Sequence, residues 1–129
     1  MGKKYLIDTN ILIYYYGDLI PSKIVDMVDD IFLTSFNISI ITKIEFLGWR
    51  NYDEEQYQKA ILFTEGARIF PLTELIANKA IEFKRKKQIK LPDAVIAATC
   101  LANNFTLITR NQVDFNGIDN LEVYNPFEI

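Results

Sequence analysis

Four acidic residues occupy sequence positions from which their carboxylates could act on one substrate. Asp8 and Asp114 each follow shortly after a short apolar run, Asp93 comes directly after Pro92, and Glu45 lies beside the apolar positions of an amphipathic segment. Clustered carboxylates without imidazole or thiolate partners favour hard cations bound through oxygen, namely Mg²⁺ or Mn²⁺. We therefore expect these residues to support metal-ion chemistry.

The chain contains no histidine, and its one cysteine is Cys100. This composition excludes Ser-His-Asp and Cys-His nucleophile systems, histidine-based acid–base catalysis and His-ligated zinc. Cys100 lies in an apolar stretch, so we expect a buried thiol with raised pKa and no chemical role. The chemistry must rest on carboxylates, lysine, arginine, tyrosine and hydroxyl groups.

The composition predicts one domain over residues 1–129, because 129 residues with 50% apolar content are enough for one buried core. The formal charge of −3 does not attract nucleic acid to the molecule as a whole, so any such contact must be local. No apolar run approaches the ~20 residues that span a bilayer, and no leader is apparent. We expect a cytoplasmic protein without a membrane segment.

Short apolar runs alternate with amphipathic segments along the chain. This alternation predicts an α/β fold, a three-layer α/β/α sandwich with a central, mainly parallel sheet. Ligands bind such sheets beyond the carboxyl ends of the strands, near the point where strand order reverses. Asp8 and Asp114 are expected at that edge. The predicted strands are Lys4–Ile7, Ile31–Thr34, Arg68–Phe70, Thr106–Thr109 and Leu121–Tyr124.

Helix starts are marked by capping residues. Asn10 can cap a helix beginning at Ile11, and Pro92 stands at the favoured first-turn position of a helix that is apolar nearly all round over residues 94–98. A further helix is expected after a Ser39 cap, with apolar positions Ile40, Ile44 and Leu47. Another is expected from an Asp53–Gln56 capping box to Glu65. A long helix is expected with one apolar face formed by Leu72, Ile76, Ala80 and Phe83.

Three blocks carry a family resemblance: Leu6-Ile7-Asp8-Thr9-Asn10, residues 90–98 around Pro92-Asp93, and residues 107–115 from Leu107 to Phe115. With the segment Thr42–Gly48 between them, they resemble the PIN-domain family, and most closely its VapC-type toxins. The correspondence covers nearly the whole chain in order and spacing. Four ordered blocks are far more specific than an aspartate after a strand.

The resemblance implies a nuclease that hydrolyses RNA phosphodiesters with Mg²⁺ or Mn²⁺. It also implies a separately encoded antitoxin as partner and, as is common in the family, a homodimer. The residues that match the family's acidic positions are Asp8, Glu45, Asp93 and Asp114, with Asp8 and Asp93 expected as the nearest metal ligands; those that match supporting polar positions are Thr9, Asn10, Thr109 and Asn111.

Basic residues near these blocks could supply the local positive field that the acidic chain lacks. The candidates for contact with RNA phosphates are Lys84, Arg85, Lys86, Lys87, Lys90 and Arg110. A solvated lysine-rich helix end is the alternative for the first five, and a surface ion pair is the alternative for Arg110. Among Tyr14, Tyr15 and Tyr16, at least two are expected in core packing or a dimer contact, with stacking on bases as the alternative.

The alternatives to a toxin nuclease are a phosphoacceptor receiver domain, a non-catalytic RNA-binding or scaffolding relative, and a PIN nuclease devoted to RNA maturation. A phosphoacceptor receiver domain needs an aspartate after the third strand and a late lysine, whereas Pro71 and Leu72 follow that strand and no lysine follows Lys90. A non-catalytic RNA-binding or scaffolding relative would be expected to lack some of the four acids. A PIN nuclease devoted to RNA maturation remains as an enzymatic alternative.

Overall fold

The computed structural model describes residues 3–128. Along the chain the order of elements is β1 Tyr5–Ile7, α1 Thr9–Tyr16, α2 Val25–Thr34, β2 Asn37–Ser39, α3 Ile40–Leu47, α4 Glu54–Thr64, β3 Arg68–Phe70, α5 Glu74–Lys86, α6 Leu91–Asn103, β4 Thr106–Ile108, a 3₁₀ turn Gln112–Phe115, β5 Val123–Tyr124 and a second 3₁₀ turn Pro126–Glu128. None of the helices within residues 3–128 has the length and apolar character to cross a membrane.

The strands form two parallel ladders that lie side by side. In one, β4 pairs with β1 and β5; in the other, β2 pairs with β3. β2 lies beside β1, and the Asn37 side-chain amide donates a hydrogen bond of 2.9 Å to the Tyr5 carbonyl. The spatial order is therefore β3-β2-β1-β4-β5. Strand order reverses between β1 and β4, where ligand sites of such sheets form.

Successive strand residues point to opposite faces of the sheet and enter two separate apolar clusters. Leu6 and Leu107 pack with residues of α5 and α6. Ile7 and Ile108 pack on the other face with residues of α1, α2, α3 and α4. The predicted three-layer α/β/α sandwich with a parallel sheet is confirmed.

Helix α6 is the most buried helix, as its apolar sequence predicts. All residues from Ala94 to Cys100 are buried, and burial raises the pKa of the Cys100 thiol far above its usual range. The helix ends at Asn104, whose positive φ of 56° turns the chain directly into β4. Because α6 is packed along its length, its first turn is held firmly against the carboxyl edge of the sheet.

Four local predictions were wrong. The expected strand Ile31–Thr34 is the last turn of α2, and β2 begins three residues later at Asn37. Ile31 comes three residues, about one helical turn, after the buried Val28, so a helix buries the run as well as a strand would. Asp8, not Asn10, caps α1, which begins at Thr9.

The other two errors concern exposure and boundaries. Ile44 was expected on the buried stripe of α3, but 60% of its surface is exposed, and Thr42 and Phe46 face the core instead. Leu72 was expected on α5, but the helix begins at Glu74 with Thr73 as its cap. The predicted Asp53–Gln56 capping box is confirmed, with hydrogen bonds in both directions.

Candidate active site

Asp8 lies at the carboxyl end of β1 and is almost completely buried. Its extended backbone lets it cap α1, and its Oδ1 accepts a hydrogen bond of 2.9 Å from the Thr9 N–H. Its Oδ2 accepts hydrogen bonds from the Asn10 amide at 2.8 Å and from the Thr109 hydroxyl at 2.7 Å. The strand–helix junction therefore fixes the orientation of this carboxylate.

Thr109 follows β4 and is fully buried beside Asp8. Its hydroxyl donates to Asp8 and accepts from the Asn111 N–H at 3.0 Å and from the Asn10 amide at 3.2 Å. A hydroxyl has one proton and two lone pairs, so all of its hydrogen-bonding capacity is used. The side-chain oxygen of Asn10, Oδ1, in turn accepts a hydrogen bond of 3.0 Å from the Arg110 backbone N–H. The four polar positions expected to support the site are thus brought together around Asp8, with Thr9 on its other oxygen.

Glu45 reaches the same region from α3. The Thr9 hydroxyl donates a hydrogen bond of 2.7 Å to Glu45 Oε1 and lies 3.0 Å from the Thr42 hydroxyl. Because Thr9 has only one hydroxyl proton, Thr42 is the donor in the second contact. Sequence reasoning assigned no role to the buried Thr42. Its spacing of three residues before Glu45, which puts both on one face of a helix, is the signal that could have identified it.

Asp93 is half-buried in the first turn of α6. Burial is the largest cause that raises its pKa to about 6, and repulsion from Asp8, Asp114 and Glu45 adds to it, while Lys90 opposes the shift. Asp114 lies in the exposed 3₁₀ turn after β4. The charges of Asp8, Asp114 and Glu45 thus all act on Asp93 at this edge of the sheet.

Burial also raises the pKa of Asp8, and repulsion from Glu45 acts in the same direction. The hydrogen bonds from Thr109, Thr9 and Asn10 act against both effects, because they stabilise the ionised carboxylate. Three protein donors thus support the charge of Asp8, and one, the Thr9 hydroxyl, supports that of Glu45. Asp93 has no such support within residues 3–128.

The oxygen donors of the site suit Mg²⁺ or Mn²⁺. Among the described residues, no three acidic or thiol groups are arranged as a ready metal cage. Mg²⁺ keeps several waters and is commonly held by one or two carboxylates, so it does not require such a cage. A carboxylate has about four acceptor sites, and protein donors fill three of those on Asp8, so one remains free on Oδ1.

Three of the basic residues at the end of α5 already have partners within the chain. Lys84 donates to the Ile89 carbonyl, Lys86 pairs with Glu82, and Lys87 donates to the Asn116 carbonyl. These lysines already hold the end of α5 in place, and their contact with RNA stays a prediction, as it does for the exposed Arg85 and for Lys90.

Tyr15 and Tyr16 pack in the aromatic core with Phe32, Phe46 and Phe63, as expected for two of the three tyrosines.

Comparison with known proteins agrees with this geometry. The sequence profile of the PIN domain matches residues 5–121. That range includes β1, the four carboxylates and all of β4. A search of curated protein sequences gave no significant match.

Solved structures with the same fold include chains from several bacterial complexes. A chain of a toxin–antitoxin complex from Klebsiella pneumoniae is 31% identical, with a TM-score of 0.77 over 98% of this chain and 100% of that one. A chain of VapBC-1 from nontypeable Haemophilus influenzae is 28% identical, with a TM-score of 0.76 over 95% and 98% of the two chains. FitAcB from Neisseria gonorrhoeae, 23% identical with a TM-score of 0.79 over 97% and 99%, shares the fold. Because the PIN-domain profile matches residues 5–121, which is most of the chain, the chain belongs to the PIN-domain family.

Proposed function

We propose that this protein is a metal-dependent endoribonuclease that hydrolyses phosphodiester bonds in single-stranded or loop RNA. The observation that carries the proposal is the meeting of Asp8, Glu45, Asp93 and Asp114, from four separate chain segments, at the edge where strand order reverses. Carboxylates that repel one another cost stability unless a cation or a proton joins them. Such a cost is expected where the site binds a cation for its chemistry.

In this proposal Asp8 and Asp93 would hold Mg²⁺ or Mn²⁺, and the unfilled acceptor position on Asp8 Oδ1 would be available to the ion. A bound divalent cation lowers the pKa of water and neutralises charge that develops on the phosphate. Asp114 ligates through water or orients the attacking water. The network of Asn10 and Thr109 holds the Asp8 carboxylate in one orientation, so that it need not reorganise during the reaction.

Glu45 is the second candidate to orient the attacking water. Its Oε1 is held by the Thr9 hydroxyl, whose own position is fixed by Thr42. Its Oε2 accepts no hydrogen bond from residues 3–128, so it is available to accept one from water. A positioned carboxylate within hydrogen-bond reach of water can accept its proton in the transition state.

RNA without stable pairing is the favoured substrate. Its bases can be splayed apart and contacted, whereas the deep major groove of duplex RNA excludes side chains. The site lies at an open edge of the sheet, where Asp114 and Arg110 are exposed. We propose that the protein acts on this RNA in the cytoplasm.

The biological role that we propose is that of the toxin in a type II toxin–antitoxin pair. The support is the likeness over nearly full length to chains of a toxin–antitoxin complex and of VapBC-1. A separately encoded antitoxin is then the protein partner that blocks cleavage, and a homodimer is the expected assembly of the toxin chain.

Cleavage of a labelled single-stranded RNA by the purified chain tests the activity. We expect cleavage with Mg²⁺ or Mn²⁺, none with EDTA, and a loss of at least about 100-fold for Asp93→Asn, because removal of one electrostatic stabiliser typically costs that much. Cys100→Ala is the matched control, because the thiol is buried in α6. Cleavage that EDTA leaves untouched, or an Asp93→Asn protein as active as its parent on every RNA tested, would contradict the proposal.

A further inference from the structure

Arg110 is an exposed arginine directly after the site residue Thr109, and within residues 3–128 no carboxylate lies within ion-pair distance of it. The surface ion pair considered from the sequence is therefore not formed by these residues. Its guanidinium carbon lies 4.6 Å from the centre of the Phe127 ring and 5.3 Å from that of Tyr14. Both distances are in the range of cation–π contacts. The charge is held in place without being neutralised.

The backbone of Arg110 is fixed on both sides. Its N–H donates to Asn10, a residue of the carboxylate network, at 3.0 Å. Its backbone carbonyl accepts a hydrogen bond of 3.3 Å from the side-chain amide of Asn125, and the side-chain Oδ1 of Asn125 accepts one of 2.9 Å from the Phe127 N–H. We call residues 125–127 the C-terminal clamp. It closes over Arg110 and places the Phe127 ring against its guanidinium.

The position of Arg110 relative to the carboxylates follows from α1. Tyr14, whose ring contacts the guanidinium, comes four residues after Asn10, so it lies one helical turn, about 6 Å along the axis, from Asn10 on the same face of α1. Arg110 is thus close to the site but forms no ion pair with its acids among residues 3–128.

We propose that the C-terminal clamp and Tyr14 position Arg110 to bind a backbone phosphate of the RNA next to the one that is cleaved. This inference rests on the proposed nuclease function and specifies one contact with its substrate. The guanidinium is planar and presents a fork of donors that matches phosphate oxygens, and aromatic faces leave that fork available. Arg110 is the phosphate-binding residue, and Asn125, Phe127 and Tyr14 are positioning residues.

Binding of a short single-stranded RNA, measured by fluorescence anisotropy in EDTA, separates this contact from catalysis. Arg110→Gln is expected to weaken binding about tenfold and to reduce the slope of log K against log salt by about 0.7, the value for one phosphate contact on a single strand. Arg110→Lys should recover part of the affinity and the full slope. Phe127→Leu should weaken binding by a smaller factor and leave the slope near that of the parent, because the charge remains.

The matched control is Arg68→Gln. Arg68 is also exposed and lies 4.8 Å from the Phe70 ring centre, but it begins β3, so it lies at the edge of the sheet opposite the site. RNAs with one uncharged methylphosphonate linkage, moved along the strand, locate the contact. One position should weaken binding of the parent and have no effect on Arg110→Gln.

The two proposals fail in different ways. A parent that binds RNA through Arg110 but does not cleave it would overturn the nuclease function and retain this contact. A parent that cleaves RNA, with Arg110→Gln matching Arg68→Gln in affinity and salt slope, would overturn the contact alone. A lower affinity with an unchanged slope would also overturn it, because that result would indicate stacking of bases on Tyr14 or Phe127. A parent that neither binds nor cleaves RNA would overturn both.

Discussion

The carboxylate site has a hydrogen-bonded half and an open half. In the hydrogen-bonded half, Asp8 is buried and accepts three hydrogen bonds from neighbouring residues. In the open half, the carboxylates of Asp93 and Asp114 accept no hydrogen bond from residues 3–128, and their mutual repulsion contributes to the raised pKa of Asp93. The protein thus fixes one ligand during folding and leaves the charge of the others to be balanced by a cation.

This difference predicts opposite effects on stability from substitutions in the two halves. Removing a donor from the hydrogen-bonded half should destabilise the fold, because a buried charge loses its support. Removing a charge from the open half should stabilise the metal-free fold, because the cost of partial burial of that charge and its repulsion by the other acids are both removed. Both changes should lower cleavage.

The larger stability effect is expected for Thr109→Val, which keeps the shape of the side chain but removes its hydroxyl. Asp8 loses a donor and the Asn111 N–H loses its acceptor, and such losses in a buried site cost about 2 kcal/mol. Urea unfolding followed by circular dichroism measures the change. The control is Thr106→Val at the start of β4, the strand that Thr109 follows, because its hydroxyl donates only to the exposed Glu122. Equal unfolding free energies for the two variants would mean that the network does not support Asp8.

A smaller effect of opposite sign is expected for Asp93→Asn. Its carboxyl pKa is raised from 3.8 to about 6 in the folded chain, so ionisation costs stability: the cost is absent below pH 3.8 and complete above about pH 6. With allowance for solvent screening at a half-exposed group, the metal-free variant should be about 1 kcal/mol more stable than the parent at pH 7.

That gain should disappear as the pH is lowered to 4, and thermal unfolding in EDTA at several pH values measures it. Asp26→Asn is the control, since Asp26 also lies in the first turn of a helix but outside the site. It should lose a few tenths of a kcal/mol, the usual value of a carboxylate at a helix N-terminus, at all pH values above its titration. A destabilised Asp93→Asn protein at pH 7 would show that burial and repulsion do not make the Asp93 charge costly in the metal-free fold.

The sequence predicted the layers, the buried α6 and the meeting of the four acids, because these follow from strand–helix alternation and from acids placed after strand ends or at a helix start. It did not predict the location of β2. Short apolar runs such as Ile31–Thr34 bury equally well in a strand or in the last turn of a helix, and only packing against the rest of α2 decides between them.

The supporting contacts were less predictable than the acids. The role of Thr42 depends on the approach of α3 to α1, a contact between residues 33 positions apart in the chain. The C-terminal clamp similarly depends on Asn125 and Phe127 folding back onto Arg110. Neither contact has a local sequence signal of its own. Such long-range pairs become visible only when the fold is known.

Calorimetric titration of Mn²⁺ into the metal-free chain tests the central claim, that the carboxylates of the two halves together bind a divalent cation. We expect one site in the parent and at least about tenfold weaker binding for Asp93→Asn, because a direct ligand and its charge are lost. Asp119→Asn, at an exposed aspartate outside the site, should bind like the parent. A parent that binds no Mn²⁺, or an Asp93→Asn protein that binds it with unchanged affinity, would contradict the account.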